Sequence, residues 1–193
     1  MNSPTDPRSC VTGIVLAGGR GLRMGGVDKG LVEREGRYLI GHALDALRPQ
    51  VAQLIVSANR HLDRYAALGV AVVADELPDF AGPLAGIAAA AARVRTDWIV
   101  CVPCDTLALP GDLVARLLDT AHDAGADAAY VEDAEGPQFV FCLLHRRLMP
   151  PLARAAASPR RAVRDFLHAH GAVAARFDDW RCTNLNTPET LAC

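Results

Sequence analysis

The sequence predicts a single α/β domain: a mostly parallel sheet with helices on both faces and a small antiparallel excursion. Three observations carry this prediction. Short apolar, often β-branched runs alternate with longer helical patterns, which is the βαβα rhythm of a sheet covered on both sides. The 193 residues, 51% of them hydrophobic, make about one domain with a substantial core. A glycine-rich loop directly follows the first apolar run, and open α/β sheets bind ligands at the carboxyl ends of their strands. Residues 1–10 are expected to be a disordered leader and residues 11–193 the domain.

The elements follow in order. Val11–Ala17 reads as a first buried strand, Gln53–Ala58 as a second, Val70–Ala74 as a third and Trp98–Val102 as a fourth, each short and bounded by turn or polar residues. Between them Leu39–Leu47, His61–Leu68 and Leu84–Val94 carry helix formers. Gly111–Ala124 places Leu113, Val114, Leu117, Leu118 and Ala121 on one apolar helical face. Then the pattern changes. A strand at Ala126–Val131, an acidic turn at Glu132–Gly136 and a strand at Gln138–Leu144 predict an antiparallel return. Arg161–Ala169 is a helix, Ala172–Phe177 a last strand, and Pro188–Leu191 a closing helix capped by Thr187.

Composition excludes several functions. A net charge of -2 lacks the basic footprint of a duplex-binding protein, so no nucleic-acid partner is expected. No apolar run reaches the ~20 residues of a membrane span, and Met1–Cys10 is not a signal sequence, so the expected location is cytoplasmic. Six cysteines scattered through the chain read as reduced thiols rather than as a disulfide framework.

The segment Leu16–Gly30, LAGGRGLRMGGVDKG, sets five glycines before Lys29, among them Gly18 and Gly19, with Arg20 and Arg23 between them. Glycines let backbone N–H groups approach a phosphate chain, and the cations neutralise it. Lys29 is the only lysine among the 20 basic residues; it is either a point charge for phosphate or a chance survivor of an arginine-rich composition. The loop is neither a P-loop, since Val27 and Asp28 follow Gly26, nor a dinucleotide fingerprint, since Met24 stands where glycine is needed. Asp105 closes the fourth strand. It either holds Mg²⁺, which favours one or two carboxylates plus substrate phosphates, or caps the turn before Leu109. Cys101-Val-Pro-Cys104 is half a zinc site with no second half, and Cys101 belongs to an apolar strand. His168 and His170 read as a solvated helix end, and Asp178-Asp179 as either a second metal contact or a solvated turn before Trp180. Arg160, Arg161 and Arg164 make either a basic patch for an anionic substrate or an exposed helix face.

Four motifs in one order, LAGGxxxRMGGxDKxL (Leu16–Leu31), GPLAG (Gly82–Gly86), PCDT (Pro103–Thr106) and NxNTPE (Asn184–Glu189), resemble the molybdenum cofactor guanylyltransferases. The resemblance implies a Rossmann-like nucleotidyltransferase domain that transfers GMP from GTP to molybdenum-bound molybdopterin, releases pyrophosphate and uses Mg²⁺. By the same resemblance, Leu16, Ala17, Gly18 and Gly19 lie in the guanine-contacting loop and Lys29 holds phosphate. Asp75 contacts the nucleotide, Asp105 binds the metal, and Asn184 and Asn186 belong to the pterin side or to a second metal contact. With Arg23 beside Lys29 and Asp105, these groups gather the triphosphate. Ser57 stands where relatives commonly have asparagine as a nucleotide contact, with Asn59 close by to compensate. Molybdenum-insertion proteins and molybdoenzyme chaperones are partners the family implies. The competing readings are a cytidylyltransferase, whose relatives usually read LAAG where this chain has LAGG, another nucleotidyltransferase of the same fold, and a non-catalytic nucleotide- or cofactor-binding protein.

Overall fold

The computed structural model describes residues 7–17, 19, 28–75, 82–159 and 161–182. In chain order the elements are β1 (Val11–Leu16), β2 (Glu33–Arg34), β3 (Arg37–Tyr38), α1 (Leu39–Leu47), β4 (Gln53–Ser57), α2 (Leu62–Ala66) and β5 (Ala71–Val73), followed by α3 (Pro83–Ala91), β6 (Trp98–Pro103) and α4 (Leu113–Asp123). The second half adds β7 (Ala128–Asp133), β8 (Gly136–His145), α5 (Met149–Ala156), α6 (Val163–Ala169) and β9 (Val173–Phe177).

Seven strands form one sheet in the order β5-β4-β1-β6-β8-β7-β9. β5, β4, β1 and β6 run parallel, β8 runs antiparallel to β6 and β7, and β7 pairs in parallel with β9. The expected antiparallel return is therefore present. Strand alternation sorts the core into two layers. On one face Val11, Val15, Val100 and Val102 pack with Ile40, Leu44 and Leu47 of α1 and Leu113, Leu117 and Leu118 of α4. On the other, Ile14, Ile55, Ile99 and Cys101 pack with Leu84 and Ile87 of α3, Leu152 of α5 and Phe166 and Leu167 of α6. Cys101 is thus inert core.

A buried glutamine joins α1 to α4. Gln50 donates through Nε2 to the carbonyls of Ala46 and Pro110, both at 2.9 Å, and its Oε1 accepts the Val114 N–H at 3.0 Å. The Val114 N–H is one of the first-turn donors that a helix cannot satisfy itself. Asp112 stands at the N-cap without a side-chain cap bond, so the cap comes from Gln50, across the fold.

Three features depart from the sequence reading. β2 and β3 form a hairpin around Glu35 and Gly36, whose φ values of 53° and 75° suit a two-residue turn. α5 begins with Pro150 and Pro151 in its first turn, where a proline loses no helical hydrogen bond; that Pro-Pro pair had hidden the helix. Pro7–Cys10 forms a 3-10 turn where disorder was expected. Residues 1–6 and the segment Pro188–Leu191, where a closing helix was expected, lie outside the described residues.

Candidate active site

The order β5-β4-β1-β6 places a topological switch point between β1 and β6. From β1 the chain crosses one way to β4 and β5, and then returns through α3 to β6 on the other side. Helices departing in opposite directions leave a crevice at the carboxyl ends of those two strands. Leu16 pairs with Pro103 at that rim. Two backbone bonds close it: Cys104 N–H donates to Leu16 O at 3.0 Å, and Ala17 N–H donates to Ser57 O at 2.8 Å.

At this rim Lys29 Nζ donates to Asp105 Oδ2 at 3.1 Å, the two side chains being 26% and 12% exposed. Residues 76 positions apart therefore meet as a half-buried ion pair where the sheet opens. Asp105 stands two residues beyond Pro103, the last residue of β6, just after Cys104, whose N–H is bonded to Leu16 O, and no other side-chain hydrogen bond to its carboxylate is found among the described residues. The donor type suits Mg²⁺, which takes one or two hard carboxylates and completes its shell with phosphate oxygens and waters. No group of three or more His, Cys, Asp or Glu able to hold a metal exists among the described residues.

A second polar cluster lies after β4 and β5. Asn59 Nδ2 donates to Asp75 Oδ2 at 2.7 Å, and the Asp75 N–H donates back to Asn59 Oδ1 at 2.9 Å. This reciprocal pair fixes the Asp75 carboxylate while its Oδ1 is buried without a hydrogen-bond partner among the described residues. Arg60 donates to Gly19 O at 3.2 Å and so ties this cluster to the glycine loop. Ser57, opposite Leu16 at the rim, is only 3% exposed, and its Oγ lies under the first turn of α3, 2.5 Å from where a Cβ on Gly86 would stand. The glycine of GPLAG admits that close contact. Gly82, with φ +89°, precedes Pro83 and lets the chain turn into α3 at the rim.

Two structural contacts escaped the sequence reading. Tyr65 donates to Asp28 Oδ1 at 2.5 Å; a lone tyrosine on a short helix gives no signal of this. The segment after β9 returns over the rim. Trp180 Nε1 donates to Ala108 O at 2.9 Å, and Cys182 N–H donates to Asp133 Oδ2 at 2.8 Å. The Cys182 thiol is hydrogen-bonded to Thr106, and burial together with Asp133 and Asp105 pushes it up to about 12. The last described residues thus stand beside PCDT. Gly18, Arg23, Asn184 and Asn186 lie outside the described residues. Of the remaining expected residues, Leu16, Ala17, Lys29 and Asp105 gather at the switch point, while Asn59 and Asp75 pair beside it.

A family model described as a MobA-like NTP transferase domain matches residues 13–173. The chain belongs to the MobA-like NTP transferase family. Curated relatives carry a more specific name. A molybdenum cofactor guanylyltransferase of Bordetella petrii is 45% identical over 88% of this chain and 88% of its own. Another of that name, from Burkholderia lata, is 44% identical over 98% of this chain and 97% of its own. Among solved structures, the manganese complex of Rv0371c from Mycobacterium tuberculosis superposes with a TM-score of 0.73 over 94% of this chain and 96% of that one. At 22% identity that likeness speaks for the fold. Within the MobA-like fold described here, no helix among the described residues is long and apolar enough to cross a membrane.

Proposed function

We propose that this MobA-like chain is a molybdenum cofactor guanylyltransferase that transfers GMP from GTP to molybdenum-bound molybdopterin and releases pyrophosphate. The observation that carries the reading is the Lys29–Asp105 pair at the switch point of the sheet, in a chain 45% identical to a relative of that name. The cytoplasm is the compartment that fits a substrate such as GTP.

Phosphoryl transfer needs positioning and charge neutralisation more than covalent help from the protein. The molybdopterin phosphate is already an anion and needs no strong base. A phosphate oxygen of the acceptor forms the new bond to the α-phosphorus, the bond from that phosphorus to the α,β-bridging oxygen breaks, and pyrophosphate carries away the electron pair. Lys29 holds the triphosphate and stabilises the charge that builds on the leaving group, with Arg23 beside it. Leu16, Ala17, Gly18 and Gly19 bring backbone groups to the base. Asp75, fixed by Asn59, offers its unpaired Oδ1 to a nucleotide donor. Asp105 is the residue that would hold Mg²⁺, and the ion supplies charge neutralisation for the phosphate under attack. Asn184 and Asn186 serve the acceptor side.

The experiment is turnover of purified protein with molybdenum-loaded molybdopterin, Mg²⁺ and each nucleoside triphosphate, read as pyrophosphate release and dinucleotide product. GTP is expected to support turnover, and Asp105→Ala to abolish it with folding intact. Preference for CTP would replace the reading with a cytidylyltransferase, and binding without turnover would leave a cofactor-carrying protein. Wild-type rates in Asp105→Ala would remove the metal assignment.

A further inference from the structure

We infer that Tyr65 is a positioning residue for Lys29, acting through the residues on both sides of it. This rests on Lys29 being the cation that holds the triphosphate. Tyr65 lies on α2 and is fully buried. Its hydroxyl donates to Asp28 Oδ1 at 2.5 Å, and Asp28 is itself only 8% exposed. Burial first, and the Asp28 hydrogen bond second, push the phenol well above its ordinary value. It therefore remains a donor throughout the working pH range.

The same hydroxyl defines the other neighbour of the lysine. A Cβ on Gly30 would stand 2.5 Å from Tyr65 Oη and 3.3 Å from Cε1 and Cζ. An aromatic ring packed in a core cannot swing aside as a long aliphatic chain would, so residue 30 must lack a side chain for the phenol to sit there. Lys29 is thus held between a residue bonded to Tyr65 and a residue packed against it. The peptide framework agrees: Leu31 N–H donates to Asp28 O at 3.1 Å and Val32 N–H to Lys29 O at 3.2 Å, which makes the segment one tight turn. From that fixed turn the lysine reaches Asp105.

The arrangement carries a cost that a purely structural contact would not need. Asp28 Oδ2 is buried and has no hydrogen-bond partner among the described residues, and an underpaired buried carboxylate is unfavourable. An apolar pair of similar shape would hold α2 to this turn more cheaply. The phenol–carboxylate bond instead supplies direction. It fixes the rotation of the Asp28–Gly30 turn, and with it the path of the Lys29 side chain. A misplacement of about 1 Å in a positioning group can cost on the order of a hundredfold in rate.

The test is a cycle of Tyr65→Phe, Lys29→Ala and the double variant. KM for GTP and kcat are measured at fixed Mg²⁺ and acceptor, with a thermal melt to confirm folding. Lys29→Ala is expected to raise the GTP KM strongly. Tyr65→Phe is expected to raise it about tenfold or more in the wild-type background and to add nothing in the Lys29→Ala background. A generally loosened fold would lose the same factor in both. Asp28→Ala should reproduce Tyr65→Phe and serves if that variant does not fold. Asp28→Asn keeps an acceptor for the phenol and should return the GTP KM near wild type. A wild-type KM in Tyr65→Phe, or an equal loss in both backgrounds, overturns the positioning role while Lys29 keeps its own. A wild-type KM in Lys29→Ala overturns both.

Discussion

Replacing Gln50 with alanine is expected to destabilise the protein by about 2–4 kcal/mol. Gln50 is 7% exposed, and its amide makes three hydrogen bonds, to Ala46, Pro110 and Val114. Truncation strands the Val114 N–H at the start of α4. A buried donor left unpaired costs about 1–3 kcal/mol, and loss of a helix cap alone costs about 1 kcal/mol. The two carbonyls each lose a bond, and the space of the missing amide adds a packing loss of similar size. In a chain of this length each kcal/mol moves the melting temperature by about 2–4 °C, so the midpoint should fall by roughly 4–16 °C. Urea unfolding followed by circular dichroism measures the loss directly, with an unchanged m-value showing that the unfolded state is not responsible. Gln50→Glu is informative, because it keeps the acceptor for Val114 but turns an oxygen toward two carbonyl oxygens. It should be no more stable than the alanine variant. A loss below about 0.5 kcal/mol in Gln50→Ala, the range of ordinary surface substitutions, would refute the reasoning.

Acid should act through two groups with opposite charge logic. Burial raises the Asp133 carboxyl, but the N–H groups of Cys182 and Glu135, the Gln138 amide and the Gly136 N–H outweigh it, and the group lies below its ordinary 3.8. Its stabilisation is therefore complete above that value and is lost as pH falls through the lower folded one, so Asp133→Asn should flatten the acid limb of stability against pH. Burial, and then Arg147, hold His145 below its ordinary 6.5 although Asp127 opposes them. The unfolded chain binds that proton more readily, so stability should decline as pH drops from 6.5 toward the lowered value, and His145→Gln should remove that part of the decline in a denaturation series. The thiols give a third expectation. Cys101, Cys104 and Cys142 are buried and form no disulfide, and burial raises Cys104 far above its ordinary value. Peptide mapping after alkylation at pH 8 should find these three protected in the folded protein and labelled in urea; rapid labelling when folded would contradict the packing.

The sheet was largely legible because its strands are short apolar runs closed by turn residues, and that pattern is a direct imprint of burial on both faces. Boundaries moved by one to three residues: the strand read at Ala126–Val131 runs Ala128–Asp133, and the helix read at Gly111–Ala124 runs Leu113–Asp123. α5 was missed because its two prolines look like a break unless their place in the first turn is known. The site separates along a similar line. Lys29 and Asp105 were legible as residue types, one at the end of the glycine-rich loop after the first strand and one just beyond the fourth, and the pairing of β1 with β6 brings those two segments to one rim. Asp28, Tyr65 and Gly30 were not legible as a unit, since nothing local in a tyrosine reveals which carboxylate it will bind 37 positions away. Ser57 was read as a nucleotide contact from the family resemblance alone, and its packing under α3 was not legible from the sequence.

The path of the chain after β9 has a practical consequence. The polypeptide enters the sheet at Val11, the amino end of β1, on the rim opposite Asp105. Its last described residues are tied to Ala108 and Asp133 and stand on the same rim as Asp105. A polypeptide attached ahead of Pro7 therefore sets out from the back of the molecule, while one attached directly after Cys182 sets out from the rim that carries Asp105, the rim proposed for the two phosphorylated substrates. Affinity handles, fluorescent reporters and tethered partners belong at the front of the gene.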